Sequence, residues 1–169
     1  MISNKPKLSK LKINQMFKLG YQLAFENGKK KRNWEDIFNL WKTSAGNGHI
    51  RAQFYLATCY DNALGKEQNL MLAFKWYLKA AKAGLIDAQR DLGYSYFYGE
   101  GVKINYQKAI YWYKRAAQKN DNKALFNLGL CYKYGDGVAK SERWALHYFE
   151  KAKLYGNRRA KKQIKQIEK

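Results

Sequence analysis

The sequence predicts an all-α fold, an α-solenoid of about four antiparallel helical hairpins with a C-terminal capping helix. Three observations carry this. The first is a period: a shift of 36 residues brings Ala52, Ala88, Ala124 and Ala160 into register, with Leu56, Leu92, Leu128 and Ile164, and with Tyr60, Tyr96 and Tyr132. Self-similarity of this size marks a supersecondary unit that buries its apolar face only by stacking on copies of itself. The second is helical spacing of apolar residues, as in Ala109, Trp112, Tyr113 and Ala116. The third is a recurrent helix start. Asn33, Asn69, Asn105 and Ser141 share the 36-residue register, and each has a short side-chain oxygen able to accept from the free amides of a first helical turn.

The elements follow in order. Residues 1–13 are polar and basic and read as an arm, interrupted by Pro6. The repeat array spans 14–157, as hairpins over 14–49, 50–85, 86–121 and 122–157. In the first hairpin, Leu19-Gly20 lies one residue out of register with Leu92-Gly93 and Leu128-Gly129, and the loop Gly28 to Arg32 is expected to absorb the slip. First helices are predicted over Ile50–Asn62, Ile86–Tyr98 and Asn122–Tyr134. Gly93 and Gly129 fall inside them at a cost of ~1 kcal/mol each against Ala, which close helix contact would offset. Gly48, Gly84 and Gly156, with Asn120 in the third hairpin, stand where a second helix must stop and reverse. Arg158 to Lys169 continues the register through Ala160 and Ile164, with one apolar seam and a basic exterior, as a terminal cap requires.

Composition narrows the function. The chain is 46% hydrophobic, enough for a packed core, and carries a net charge of +20. Residues 1–32 hold +8 of that and residues 158–169 hold +5. Such a surface attracts an acidic protein, nucleic acid or an anionic membrane. No secretory signal pattern opens the chain and no segment approaches the ~20 apolar residues of a membrane span, so a cytoplasmic location is expected. Cys59 and Cys131 occupy the same position two repeats apart, too far for a disulfide and suited to packed, reduced thiols. The Gly-x-Gly turns at Gly99 and Gly135 follow no strand and lack a Lys-Ser/Thr pair, so they do not read as phosphate loops. His49 and His147 have no partner at metal-ligand spacing, and no nucleophile–base or paired-carboxylate pattern is present. The expectation is a protein without enzymatic activity, cofactor or metal.

The third hairpin carries Ala88, Leu92, Gly93, Tyr96, Gly99, Gly101, Val102, Lys108, Ala109, Trp112, Tyr113, Ala116 and Ala117. In this it resembles the Sel-1-like repeats, relatives of the tetratricopeptide repeats. The fourth hairpin matches through Ala124, Leu128, Gly129, Tyr132, Gly135, Gly137, Val138 and Ala145, and departs at Tyr148-Phe149, where Trp-Tyr is the pattern. The second keeps Trp76-Tyr77 without the glycine turn, and the first is degenerate. The resemblance implies a right-handed solenoid that acts as a protein-interaction scaffold; some bacterial members look like adaptors or toxin-immunity proteins. It also implies that first helices line a concave groove. Stepping by helical period from Leu92, that face takes Phe17, Tyr21, Phe54, Arg90, Tyr94, Phe97, Tyr98, Phe126, Lys133 and Tyr134, about half of which should pack against a neighbouring helix. A basic patch follows at Arg158, Arg159, Lys161 and Lys162. The expected partner of this monomer is a protein with an acidic surface, such as a toxin or effector. The alternative is nucleic acid, held by the basic ends and stacking aromatics.

Overall fold

A computed structural model describes residues 8–26, 28 and 31–168. It is all-helical over those residues: α1 (Lys10–Tyr21) with a π-helical turn (Gln22–Glu26), α2 (Trp34–Gly46), α3 (Ile50–Asp61), α4 (Leu70–Lys82), α5 (Ile86–Tyr98), α6 (Tyr106–Ala117), α7 (Asn122–Tyr134), α8 (Glu142–Leu154) and α9 (Ala160–Ile167). Most of the basic arm, and Lys29 and Lys30 of the first loop, lie outside the described residues. The chain forms two compact units, Met1–Lys79 and Ala80–Lys169. No described helix is long and apolar enough to cross a membrane.

The four predicted caps start the second helices. Asn33 Oδ1 accepts from Asp36 N at 3.4 Å, Asn69 Oδ1 from Leu72 N at 2.9 Å, Asn105 Oδ1 from Lys108 N at 2.9 Å and Ser141 Oγ from Trp144 N at 3.3 Å. The cap amides of Asn69, Asn105 and Ser141 donate to the carbonyls of Tyr60, Tyr96 and Tyr132 at 2.9, 2.8 and 2.8 Å. The tyrosine register thus marks the point where each hairpin closes. At the other end, Gly48, Gly84, Asn120 and Gly156 all have positive φ. The following amide bonds back across the helix end, as from Asp121 to Ala116 O at 3.3 Å and from Asn157 to Ala152 O at 2.8 Å, satisfying carbonyls that the helix leaves free.

Close approach accounts for the helical glycines. A Cβ on Gly93 would sit 2.6 Å from the Tyr113 ring, and one on Gly129 would sit 2.5 Å from the Phe149 ring. Gly20 stands in the same relation to Trp41, at 2.7 Å. In these three hairpins the aromatic of the second helix rests on a glycine of the first. Trp41 Nε1 is buried there without a hydrogen-bond partner among the described residues. The first pair is separated by one residue more than the other two. A π turn holds one more residue than the α turn it replaces, so the π turn at Gln22–Glu26 accommodates the slip that the sequence assigns to the Gly28–Arg32 loop. Arg32 Nε donates to Ala24 O at 2.6 Å, tying that turn to the loop behind it. The second hairpin has Ala57 in place of the glycine. There the Tyr77 hydroxyl reaches Thr58 Oγ1 at 3.4 Å and donates to Asp61 Oδ2 at 3.2 Å.

In unit 1, Phe17, Ala24, Ile37, Phe38, Trp41, Leu56 and Cys59 are buried together. His49 caps α3: its Nδ1 accepts from Ala52 N at 3.1 Å while the ring stacks on Phe17 at 4.2 Å. Only an unprotonated Nδ1 can accept. Burial, aided by the charge of Arg51, holds this imidazole below its usual pKa. The stability it contributes is complete above the unfolded value of about 6.5 and declines as pH falls from there toward the depressed folded value. Thermal melts should therefore show loss of stability between about pH 7 and 5, and His49→Asn, which keeps an acceptor at the cap, should flatten that loss. An equal slope in wild type and variant would contradict the cap assignment.

Cys59 and Cys131 are free and buried. Burial pushes both thiols up to about 12, so neither forms an appreciable thiolate near neutrality. Iodoacetamide should leave the native chain unmodified and add two carbamidomethyl groups in urea, read by intact mass. Rapid labelling of the folded chain would contradict this.

Candidate functional site

In unit 2 a cleft of about 610 Å³ opens between α5, α7 and the turn into α9. Arg90, Asp91 and Tyr94 come from α5, Lys123 and Phe126 from α7, and Asn157, Arg158 and Arg159 from the turn. Its inner wall is built on Arg90, whose side chain is 13% exposed. Nε and Nη2 of Arg90 donate to the two oxygens of Asp91 at 2.7 and 3.3 Å, and Nη1 donates to Asp87 at 2.9 Å and Asp121 at 3.0 Å. Burial alone would lower the guanidinium pKa; the hydrogen bonds and charges of Asp91, then Asp121 and Asp87, reverse that and raise it. Asp121 also caps α7, accepting from Ala124 N at 2.7 Å. One carboxylate therefore starts α7 and ties it to α5 of the preceding hairpin.

The outer wall is basic. Arg159 lies 5.0 Å from the ring centroid of the buried Phe126. Asn157 Nδ2 donates to Asn122 O at 3.0 Å, and Asn122 Nδ2 donates to Tyr155 O at 2.8 Å, which fixes the turn against α7. Lys123, Arg158 and Arg159 form no ion pair among the described residues. Beyond the cleft, Lys133 Nζ donates to Gln163 at 2.7 Å and Gln166 at 3.0 Å, joining α7 to α9.

The predicted groove residues take different places. Tyr94, Tyr98 and Tyr134 are exposed, and the Tyr94 and Tyr98 rings lie 4.4 Å apart. Phe97 is half-buried, 5.1 Å from Tyr106. Phe126 is buried and serves as a support under Arg159. Arg90 is committed to its three carboxylates. Phe17 is buried, while Tyr21 and Phe54 are half-buried among aromatic neighbours of unit 1. These three pack against neighbouring rings of unit 1. Arg158, Arg159, Lys161 and Lys162 are all exposed.

Sel1 repeats match residues 50–85, 86–121 and 122–154. The chain belongs to the Sel1 repeat family. Among solved structures, a Sel1 repeat protein from Oxalobacter formigenes is 33% identical with a TM-score of 0.84, over 95% of this chain and 65% of its own. The c5321 protein of uropathogenic Escherichia coli, described as a protective antigen displaying an SLR fold, is 29% identical with a TM-score of 0.81, over 88% and 32%. Helicobacter pylori cysteine rich protein B is 27% identical with a TM-score of 0.58, over 73% and 93%. The present chain thus spans less than two thirds of the first two. Comparison with curated proteins gives no match. Sel1 repeats generally mediate protein–protein interaction and are typically non-enzymatic.

The repeat logic also accounts for site residues that the groove assignment missed. Asp121 and Asn157 share a register with His49; His49 and Asp121 stand one position before α3 and α7, and Asn157 opens the turn into α9. Applying the cap argument to first helices as well as second ones would have singled them out. The bond from Arg90 to Asp121 spans 31 residues, from α5 to the cap of α7, and no single-helix periodicity announces it.

Proposed function

We propose that this Sel1 repeat chain is a non-enzymatic binding module that takes an acidic segment of a protein partner into the cleft between α5, α7 and the turn into α9. The observation that supports this is the composition of the outer wall: Lys123, Arg158 and Arg159, outside any ion pair among the described residues, beside the exposed Tyr94, whose ring lies 4.4 Å from that of Tyr98. Cations speed encounter with an oppositely charged partner, and buried aromatic contact slows release. Affinity capture from the source cell, with nuclease present, followed by surface plasmon resonance tests the reading. Arg158→Glu with Arg159→Glu should slow association at least ~10-fold at low salt, and Tyr94→Ala with Tyr98→Ala should speed dissociation. Unchanged rates in both variants would place the binding surface elsewhere.

A further inference from the structure

We propose that the second-helix side of unit 2, between α6 and α8, is a site for single-stranded nucleic acid. This rests on other residues than the protein-binding cleft and does not depend on it. A cleft of about 320 Å³ lies there, with Leu125 and Leu128 of α7 as its floor, Tyr148 on one side, and Lys114, His147 and Lys151 around it. No carboxylate lines it, and neither lysine forms an ion pair among the described residues. Tyr148 stacks on Tyr132, with centroids 5.5 Å apart and planes at 14°. Trp144, 48% exposed, extends this group at 6.2 Å from Tyr148. One turn back from Lys114 on α6, Tyr111 is 52% exposed and accepts from Arg115 Nη1 at 3.0 Å. The acids of α8 are Glu142, in its first turn, and Glu150, which is paired with Lys153 at 3.1 Å.

The cleft joins an apolar floor and an aromatic wall to a cationic mouth. Its occupant is a planar ring carrying negative charge, and a nucleotide has both parts. An acidic peptide would satisfy the lysines and leave the aromatic wall without a stacking partner. The volume is at the low end of the ~300–1,000 Å³ of small-ligand sites, room for one base. Trp144 and Tyr111 outside it, each beside a cation or another ring, suit successive bases of a strand better than a solitary nucleotide. Base–aromatic stacking combined with backbone-tracking cations is the general mode for single strands.

The test uses the full chain and a fluorescein-labelled thymidine decamer followed by anisotropy. Binding is expected at low salt. Tyr148→Leu, which keeps charge and most apolar volume, should weaken it about tenfold or more. Lys114→Gln with Lys151→Gln should reduce the slope of log affinity against log salt by about 1.4, while Lys161→Gln with Lys162→Gln leaves the Tyr148 effect intact. Photocrosslinking of a 5-iodouridine decamer to wild type, mapped by mass spectrometry, guards against a Tyr148 variant that folds poorly. Adducts are expected on α6 or α8. Unchanged affinity in a folded Tyr148→Leu, equal competition by polyglutamate, or adducts confined to other helices would overturn the proposal. Competition by thymidine monophosphate as effective, per nucleotide, as the decamer would assign the cleft to a free nucleotide and overturn the strand.

Discussion

Phe149→Ala should cost unit 2 about 3–5 kcal/mol, the loss expected for a fully buried phenylalanine truncated to a cavity, and Gly129→Ala should restore part of it. Phe149 is 0% exposed. Its ring atoms lie 2.5, 2.5 and 3.0 Å from the place a Gly129 Cβ would occupy. Alone, Gly129→Ala forces that ring to move, an overpacking cost of about 1–3 kcal/mol, partly offset by ~1 kcal/mol of helix propensity. With Phe149 gone the clash vanishes and the propensity gain remains. The double variant should thus be more stable than Phe149→Ala, and the two changes should be non-additive by about 1 kcal/mol or more, as residues in contact are. Urea unfolding followed by far-ultraviolet circular dichroism measures this. Additive effects would show that the glycine does not exist to seat the ring.

That pairing also shows how far the fold was legible. Gly93 and Gly129 are costly inside helices, so the sequence alone indicates close approach there. Their partners, Tyr113 and Phe149, are themselves 36 residues apart. The departure at Tyr148-Phe149 costs little at the second position, because the Gly129 seat needs a ring and the phenolic oxygen is dispensable. Caps and reversals were legible for the same reason: each solves a local backbone problem with residues adjacent in the chain. The π turn was less so, since a one-residue slip announces an insertion without saying whether helix or loop takes it up.

The candidate site was legible only in part. Helical stepping from Leu92 picks out residues on a first-helix face, and Tyr94, Tyr98 and Tyr134 are exposed on it. Stepping carries no information about contacts from beyond the helix, which are what bury Phe126 beneath Arg159 and engage Arg90 with Asp121. Single-repeat periodicity assigns faces; contacts between repeats decide which members of a face are available to a partner.

Arg90→Met should cost about 3 kcal/mol at neutral pH, the lower end for removing one partner of a buried charge cluster, because Asp87 is 55% exposed and partly solvated. The substitution keeps most of the apolar stem and leaves three carboxylates facing one another. Burial raises the pKa of Asp91 even with the guanidinium present, and the hydrogen bond and charge of Arg90 only partly oppose it; without Arg90 it should rise further. A carboxyl whose folded pKa lies above its unfolded one favours folding when protonated and loses that contribution as pH rises through the folded value. The deficit of Arg90→Met should therefore be full at pH 7 and shrink as pH falls through the raised pKa of Asp91. Adding Asp91→Asn should recover about 1 kcal/mol or more at neutral pH, since it removes the carboxylate whose charged form burial already disfavours. A deficit that grows on acidification, or a double variant no more stable than the single one, would contradict the assignment. Arg158→Glu with Arg159→Glu should by contrast leave unfolding nearly unchanged, as expected of exposed cations outside any ion pair among the described residues, so stability measurements separate the wall that holds the cleft together from the wall offered to a partner.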